Sequence, residues 1–141
     1  MKLHHVNIVT DDMPALDHFY QDVLGIPKMP SPPLIAIDGY SAVSGGAVSN
    51  PASFLDAGDP EQLQIHLCRR DVNLSARYGH SVNPVLHGHV AFRCDDINEV
   101  KKRLESHGVR YSDYGEWAMK GWYQIFFYDP VGTVVEVHQV L

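Results

Sequence analysis

Cysteine, positive charge and long apolar runs are all scarce in this chain, and each scarcity removes a class of protein. Two cysteines, Cys68 and Cys94, among 141 residues cannot make the disulfide framework of a small secreted domain. Both fall in segments that alternate like strands, where reduced, packed thiols are expected. Eleven Lys and Arg against 17 Asp and Glu leave a formal charge of -6, the wrong sign for a surface that tracks a phosphate backbone, so no nucleic-acid partner is expected. No apolar run approaches the roughly 20 residues that cross a bilayer, and His4-His5 runs at once into an alternating segment, unlike a signal peptide. The expectation is a cytoplasmic protein with no membrane partner.

Histidine, by contrast, is abundant: the chain has nine. With 45% hydrophobic and 20% charged residues, it has the composition of one soluble domain with a real core. Its beginning is repeated in its middle. Leu3-His4-His5-Val6 leading to Asp11-Asp12 returns as His87-Gly88-His89-Val90 leading to Asp95-Asp96, with His5 matched to His89. Duplicated units pack because neither buries its apolar face alone, and a cleft between them draws ligands from both.

Residues 3–10 and 87–94 alternate with the period of a strand. A helix is predicted after each. Asp11 or Asp12 caps the first, in which Leu16, Phe19, Tyr20, Val23 and Leu24 recur at helical spacing up to Gly25. Asp95 or Asp96 caps the second, with Ile97, Val100 and Leu104 up to Gly108. Further strands are expected at 26–29, 52–57 and 62–68, then at 109–111, 121–128 and 133–139. The predicted fold is a single α+β domain of two βαβββ modules, residues 1–84 and 85–141, whose curved, partly open mixed sheet surrounds a cleft with helices outside. Of two loops, the one at 30–50, rich in Pro, Gly and Ser, is a candidate apolar wall, and the one at 69–84, holding Arg77, Tyr78 and His80, is a candidate to cover the mouth.

Splitting each strand into its two faces gives one apolar set, Val6, Ile8, Leu63, Ile65, Leu67, Val90, Phe92, Ile125, Phe127, Val135 and Val137, read as the helix-facing core. The opposite face carries His5, Asn7, Gln62, Gln64, His66, Cys68, His89, Arg93, Trp122, Gln124, Phe126, Glu136 and His138, too polar for a second dry core. Neutral imidazoles and a carboxylate suit borderline divalent ions, so His5, His66, His89 and Glu136 are the candidate metal ligands. His4 is assigned to the other face, and His138 to a supporting or solvated role. Arg93 is a candidate to meet a substrate carboxylate or to form a buried ion pair; Trp122 and Phe126 are candidate apolar walls of a substrate site shared with Asn7, Gln64 and Gln124.

The pattern resembles the vicinal oxygen chelate superfamily, which includes glyoxalase I, methylmalonyl-CoA epimerase, extradiol ring-cleaving dioxygenases and bleomycin-sequestering proteins. The motifs that carry the resemblance are His5-Val6 before Asp11-Asp12, Ile65-His66-Leu67, His89-Val90-Ala91-Phe92, and Asp129-Pro130-Val131-Gly132 before Val135-Glu136-Val137. It implies one divalent ion (zinc, nickel, cobalt, manganese or iron) on His5, His66, His89 and Glu136, with Gln64 replacing His66 if the register slips by two. It further implies a homodimer and a metal-dependent lyase or isomerase acting on a small molecule with vicinal oxygens, Glu136 taking the proton. Two alternatives stand beside it. One is an iron(II) ring-cleaving dioxygenase with a His5, His89 and Glu136 triad, although Phe126 stands where those enzymes place a tyrosine. The other is a non-catalytic small-molecule binder.

Overall fold

The computed structural model describes residues 1–35, 52–59 and 63–141; Gln62 and most of the 30–50 loop lie outside the described residues. Seven strands are described: β1 (Lys2–Thr10), β2 (Ala52–Asp59), β3 (Leu63–Arg69), β4 (His89–Arg93), β5 (Tyr111–Glu116), β6 (Trp122–Tyr128) and β7 (Val134–Val140). They form one mixed sheet in the order β2-β3-β1-β4-β7-β6-β5. The first strand of each half runs parallel to its last, β1 with β3 and β4 with β7, and an antiparallel β1–β4 pair joins the halves. The expected 26–29 strand is reduced to one bridge, Lys28 to Leu55, because Pro27 and Pro30 lack the N–H that a ladder needs.

Helices α1 (Met13–His18) and α3 (Ile97–Ser106) open on the expected aspartates. Asp12 Oδ1 accepts from the Ala15 N–H at 3.1 Å, and Asp96 Oδ1 from the Asn98 and Glu99 N–H groups at 2.8 and 3.3 Å, which satisfies amides that have no partner within the helix. Met13, Leu55 and Leu67 pack under α1, and Cys94, Ile97, Val100, Ile125 and Val137 under α3. Helix α1 does not run on as a regular helix to Gly25. It widens into a π-helical turn, Phe19–Val23, which keeps Leu16 and Tyr20 on the core while Phe19, Val23 and Leu24 face solvent. Two residues of the expected core are likewise exposed. Val6 is 41% exposed at the β1–β4 seam and Leu63 is 42% exposed at the start of β3, since each helix covers only its own half.

The opposite face of the sheet is not uniformly wet. The 70–85 segment, with the short helix α2 (Leu74–Arg77), lays Leu74, Val82 and Val85 on Trp117, Phe126 and Val134 as a further dry cluster. Side-chain alternation alone could not show this, because it is a loop that supplies the covering surface.

Two backbone details set the seam. Pairing passes from Leu3↔Phe92 to His5↔Ala91, so His4 is the additional residue of a β-bulge, and a bulge puts neighbouring side chains on one face. His4 therefore joins the cleft, 1% exposed, instead of pointing to the other face as expected. Gly88, just before β4, has φ +89° and passes so close to β1 that a Cβ there would stand 2.3 Å from the Asn7 carbonyl oxygen.

Candidate metal centre

Register places the site. His5 on β1 and Glu136 on β7 both lie alongside Ala91 of β4, and His89 lies two residues back along β4. Paired residues share a face, so a bare methyl at Ala91 lets the two longer side chains converge above it. The donor atoms form a triangle: His89 Nε2 to Glu136 Oε2 3.0 Å, His5 Nε2 to His89 Nε2 3.3 Å and His5 Nε2 to Glu136 Oε2 3.7 Å. Bonds of about 2.0–2.1 Å at ligand angles between a right angle and the tetrahedral value put donors roughly 2.9–3.4 Å apart. Two edges match a divalent ion directly, and the third exceeds that range by about 0.3 Å, within reach of a small side-chain rotation. The donor set, two imidazoles and a carboxylate, all at least nine-tenths buried, fits a borderline ion.

His66 stands apart from this triangle. The repeat makes it the counterpart of Glu136, since His66 pairs with Asn7 as Glu136 pairs with Ala91. The neighbour at its side is thus an amide and not a methyl. Its ring stacks on His5 at 3.8 Å and its Nε2 bonds Gln64 Oε1 at 2.7 Å. Three of the four expected ligands come together; His66 and Gln64 satisfy each other instead.

A second set of groups holds the three in place. Pro84 O accepts from His89 Nδ1–H at 2.9 Å, which leaves the lone pair on Nε2, the atom in the triangle. Arg93 donates and never accepts, so its bonds to His4 Nε2 at 2.7 Å and His138 Nε2 at 3.3 Å put the proton of each imidazole on Nδ1. His138 then donates to Glu136 Oε1 at 2.8 Å, Gln124 Nε2 does so at 3.2 Å, and His4 donates to His5 Nδ1 at 2.9 Å. Glu136 is thereby oriented through Oε1, with Oε2 left to the triangle; the His5 proton falls on Nε2, so for His5 Nε2 to hold an ion that proton would have to pass to Nδ1 and the His4 contact there give way.

Burial opposes the charge on Glu136, but the His5 and His89 rings beside it and the hydrogen bond from His138 hold its carboxyl well below the usual range. Burial likewise keeps His5 neutral, far below its ordinary value, and pushes His4 and His66 down to about 3. Cys68, which receives the Asn7 amide N–H at 3.0 Å, is pushed up to about 11 by burial and remains a thiol, so it adds no thiolate ligand.

These neutral imidazoles make the protein acid-sensitive. An unfolded histidine titrates near 6.5. Between about 3 and 6.5 the unfolded chain therefore binds more protons, and the stability that is complete above 6.5 is lost as pH falls through that window. His4 and His66 are each expected to cost about 2 kcal/mol between pH 7 and pH 5. Urea unfolding of metal-free protein at those two pH values checks this: the midpoint falls at an unchanged slope, and equal midpoints contradict it.

The substrate candidates divide. Asn7 and Gln124 line a cavity of about 60 Å³ beside the triangle, together with Leu34, Phe54, Val85 and Trp117. Arg93 is not in its wall but behind it, its guanidinium 5.4 Å over the Trp122 ring. Trp122 stacks on His138 at 4.2 Å, Phe126 sits in the dry cluster edge-on to His89 at 5.5 Å, and Gln64 is turned to His66. Sequence reasoning missed His4 as a cleft residue, and it missed Val85, Trp117 and Met119 in the wall. The adjacency of His4 to His5 was visible, but only the bulge gives it meaning.

Two modules paired edge to edge, with a buried two-histidine, one-carboxylate corner where they meet, define a fold of the vicinal oxygen chelate type. The chain belongs to the Glyoxalase/Bleomycin resistance protein/Dioxygenase superfamily, whose family model matches residues 2–137. It is 26% identical over 139 residues to Glyoxylase I 4 of Arabidopsis thaliana, a match covering 96% of this chain and 68% of that one. Among solved structures, methylmalonyl-CoA epimerase of Mycobacterium tuberculosis shares the fold with a TM-score of 0.65 at 19% identity, over 99% of this chain and 88% of that chain. A variant of the Streptomyces coelicolor epimerase, in complex with 2-nitronate-propionyl-CoA, does so with a TM-score of 0.63 at 16% identity, over 99% and 96%. No helix among the described residues is long and apolar enough to cross a membrane.

Proposed function

We propose that the protein is a metal-dependent, glyoxalase-like lyase or isomerase that moves a proton next to a carbonyl in a small molecule with vicinal oxygens. The observation that carries this reading is the triangle of His5 Nε2, His89 Nε2 and Glu136 Oε2 at 3.0–3.7 Å, opening onto the cavity. A divalent ion bound there supplies Lewis acidity, which lowers the barrier to losing a proton beside a coordinated carbonyl. The protein supplies the rest. Gln124 and His138 fix the Glu136 carboxylate through Oε1, so Oε2, loosely bound or displaced on substrate entry, would be the oxygen positioned to take and return the proton. Cavity walls from Leu34, Phe54 and Trp117 exclude water from that step.

A second reading has one observation behind it. With His66 held on Gln64, the remaining His5, His89 and Glu136 match the facial triad of iron(II) oxygenases, and a catechol dioxygenase would use the same corner. Metal content of tag-free protein tests the shared premise. About one ion per chain is expected in the wild type and in His66→Ala, and close to none in His5→Ala and His89→Ala; a wild type as empty as those variants removes both readings. Deuterium entering a substrate beside its carbonyl favours the first, and oxygen uptake with catechols under iron(II) the second.

A further inference from the structure

The walls of the cavity carry information about the substrate that the metal corner does not. Apart from the groups of the centre, the cavity is lined by apolar side chains, chiefly Leu34, Phe54, Val85, Trp117 and Met119, with Asn7, Gln124, His66 and Cys68 as uncharged polar members. A strap closes over it. Ile35 N–H donates to Ala118 O at 2.8 Å, Lys120 N–H donates to Pro33 O at 2.9 Å, and Leu34 bridges Met119, which carries an apolar segment of the first half across to the second.

No lysine or arginine lines the cavity among the described residues, and residues 36–51 and 60–62 contain neither type. Arg93, the cation behind the centre, is engaged by His4 and His138. A phosphate or carboxylate lodged within the cavity would therefore meet no lysine or arginine in its described wall, at a cost of several kcal/mol. Three residues of its wall carry a buried polar atom without a partner: Asn7 Oδ1 and Gln124 Oε1, acceptors whose amide nitrogens donate to Cys68 and Glu136, and Trp117 Nε1, a donor. All three residues are less than a tenth exposed, so none of these atoms is satisfied by bulk water. An unpaired buried polar atom is costly and marks where a ligand completes the set.

We infer that the site takes a compact substrate with an uncharged aryl or branched-alkyl body, whose vicinal oxygens are its one strongly polar region and reach Gln124 and Trp117 as well as the centre. It has no peptide, phosphate or nucleotide handle, unlike the coenzyme A compound bound by the Streptomyces relative. The inference rests on the metal-centre reading above.

Head-matched hydroxamates, each offering two adjacent oxygens, test it by calorimetric titration of zinc-loaded protein, after zinc content has been measured. Benzohydroxamate is expected to bind at least about tenfold more tightly than acetohydroxamate because its ring is buried. The 4-carboxylated benzohydroxamate, and a hydroxamate carried on glutathione, are expected to bind at least about tenfold more weakly than benzohydroxamate. Leu34→Ala should narrow the benzo-to-aceto ratio. Equal affinities across the series, or preference for the charged or glutathione-bearing probes, overturn the inference while leaving the centre intact. Protein that retains no zinc and binds none of the probes overturns the centre and the inference together.

Discussion

Glu136→Gln is expected to lower affinity for a divalent ion by more than about a hundredfold, since loss of an outer hydrogen-bond partner of a metal ligand already costs 10–100-fold and Glu136 is itself a ligand in the proposed centre. The substitution keeps the volume and the acceptor that His138 Nδ1 and Gln124 Nε2 use, but removes the charge facing His5 and His89. Catalysis should fall with it, because the same oxygen is the proposed base. Competition with a chelating dye separates the two losses: restoring the ion at saturating concentration recovers occupancy but not turnover. Undiminished affinity would mean that Glu136 Oε2, 3.0 Å from His89 Nε2, is only a hydrogen-bond partner. Gln124→Leu, which removes one of the two bonds to Oε1, belongs in the 10–100-fold class.

Gly88→Ala is expected to cost at least about 3 kcal/mol, from two additive causes. A side chain at φ +89° is strained, a penalty of about 1–3 kcal/mol. The new methyl would also meet a backbone oxygen at 2.3 Å, which no rotamer relieves, so β1 and β4 must separate where His5 and His89 face each other. Gly79→Ala is the control: φ +70° with nothing within 4 Å of the added carbon leaves the strain alone, about 1 kcal/mol. Thermal melts of the two variants should differ by several degrees. Equal melts would mean that the seam yields without cost.

Strand alternation, the aspartate caps and the His5/His89 repeat made the two-module fold and most of the central face readable, because each is a local signal with a fixed period. Four features were not readable, and all depend on contacts distant in sequence. His4 enters the cleft through a bulge that exists only when β1 pairs with β4. Phe126 is dry because a loop some fifty residues earlier, carrying Leu74 and Val82, lies on it. Arg93, expected to meet a substrate carboxylate or to form a buried ion pair, is held by the imidazoles of His4 and His138. His66 occupies the repeat position of Glu136, but Asn7 stands where the counterpart has Ala91, and the difference between an amide and a methyl decides which side chain reaches the centre.

The antiparallel β1–β4 pair has a consequence for assembly. His5 comes from the first half and His89 and Glu136 from the second, on three adjacent strands of one sheet. An ion held there would act as a clasp that exists only after both halves have folded and docked. Loading should then raise the melting temperature of the whole molecule as one cooperative unit.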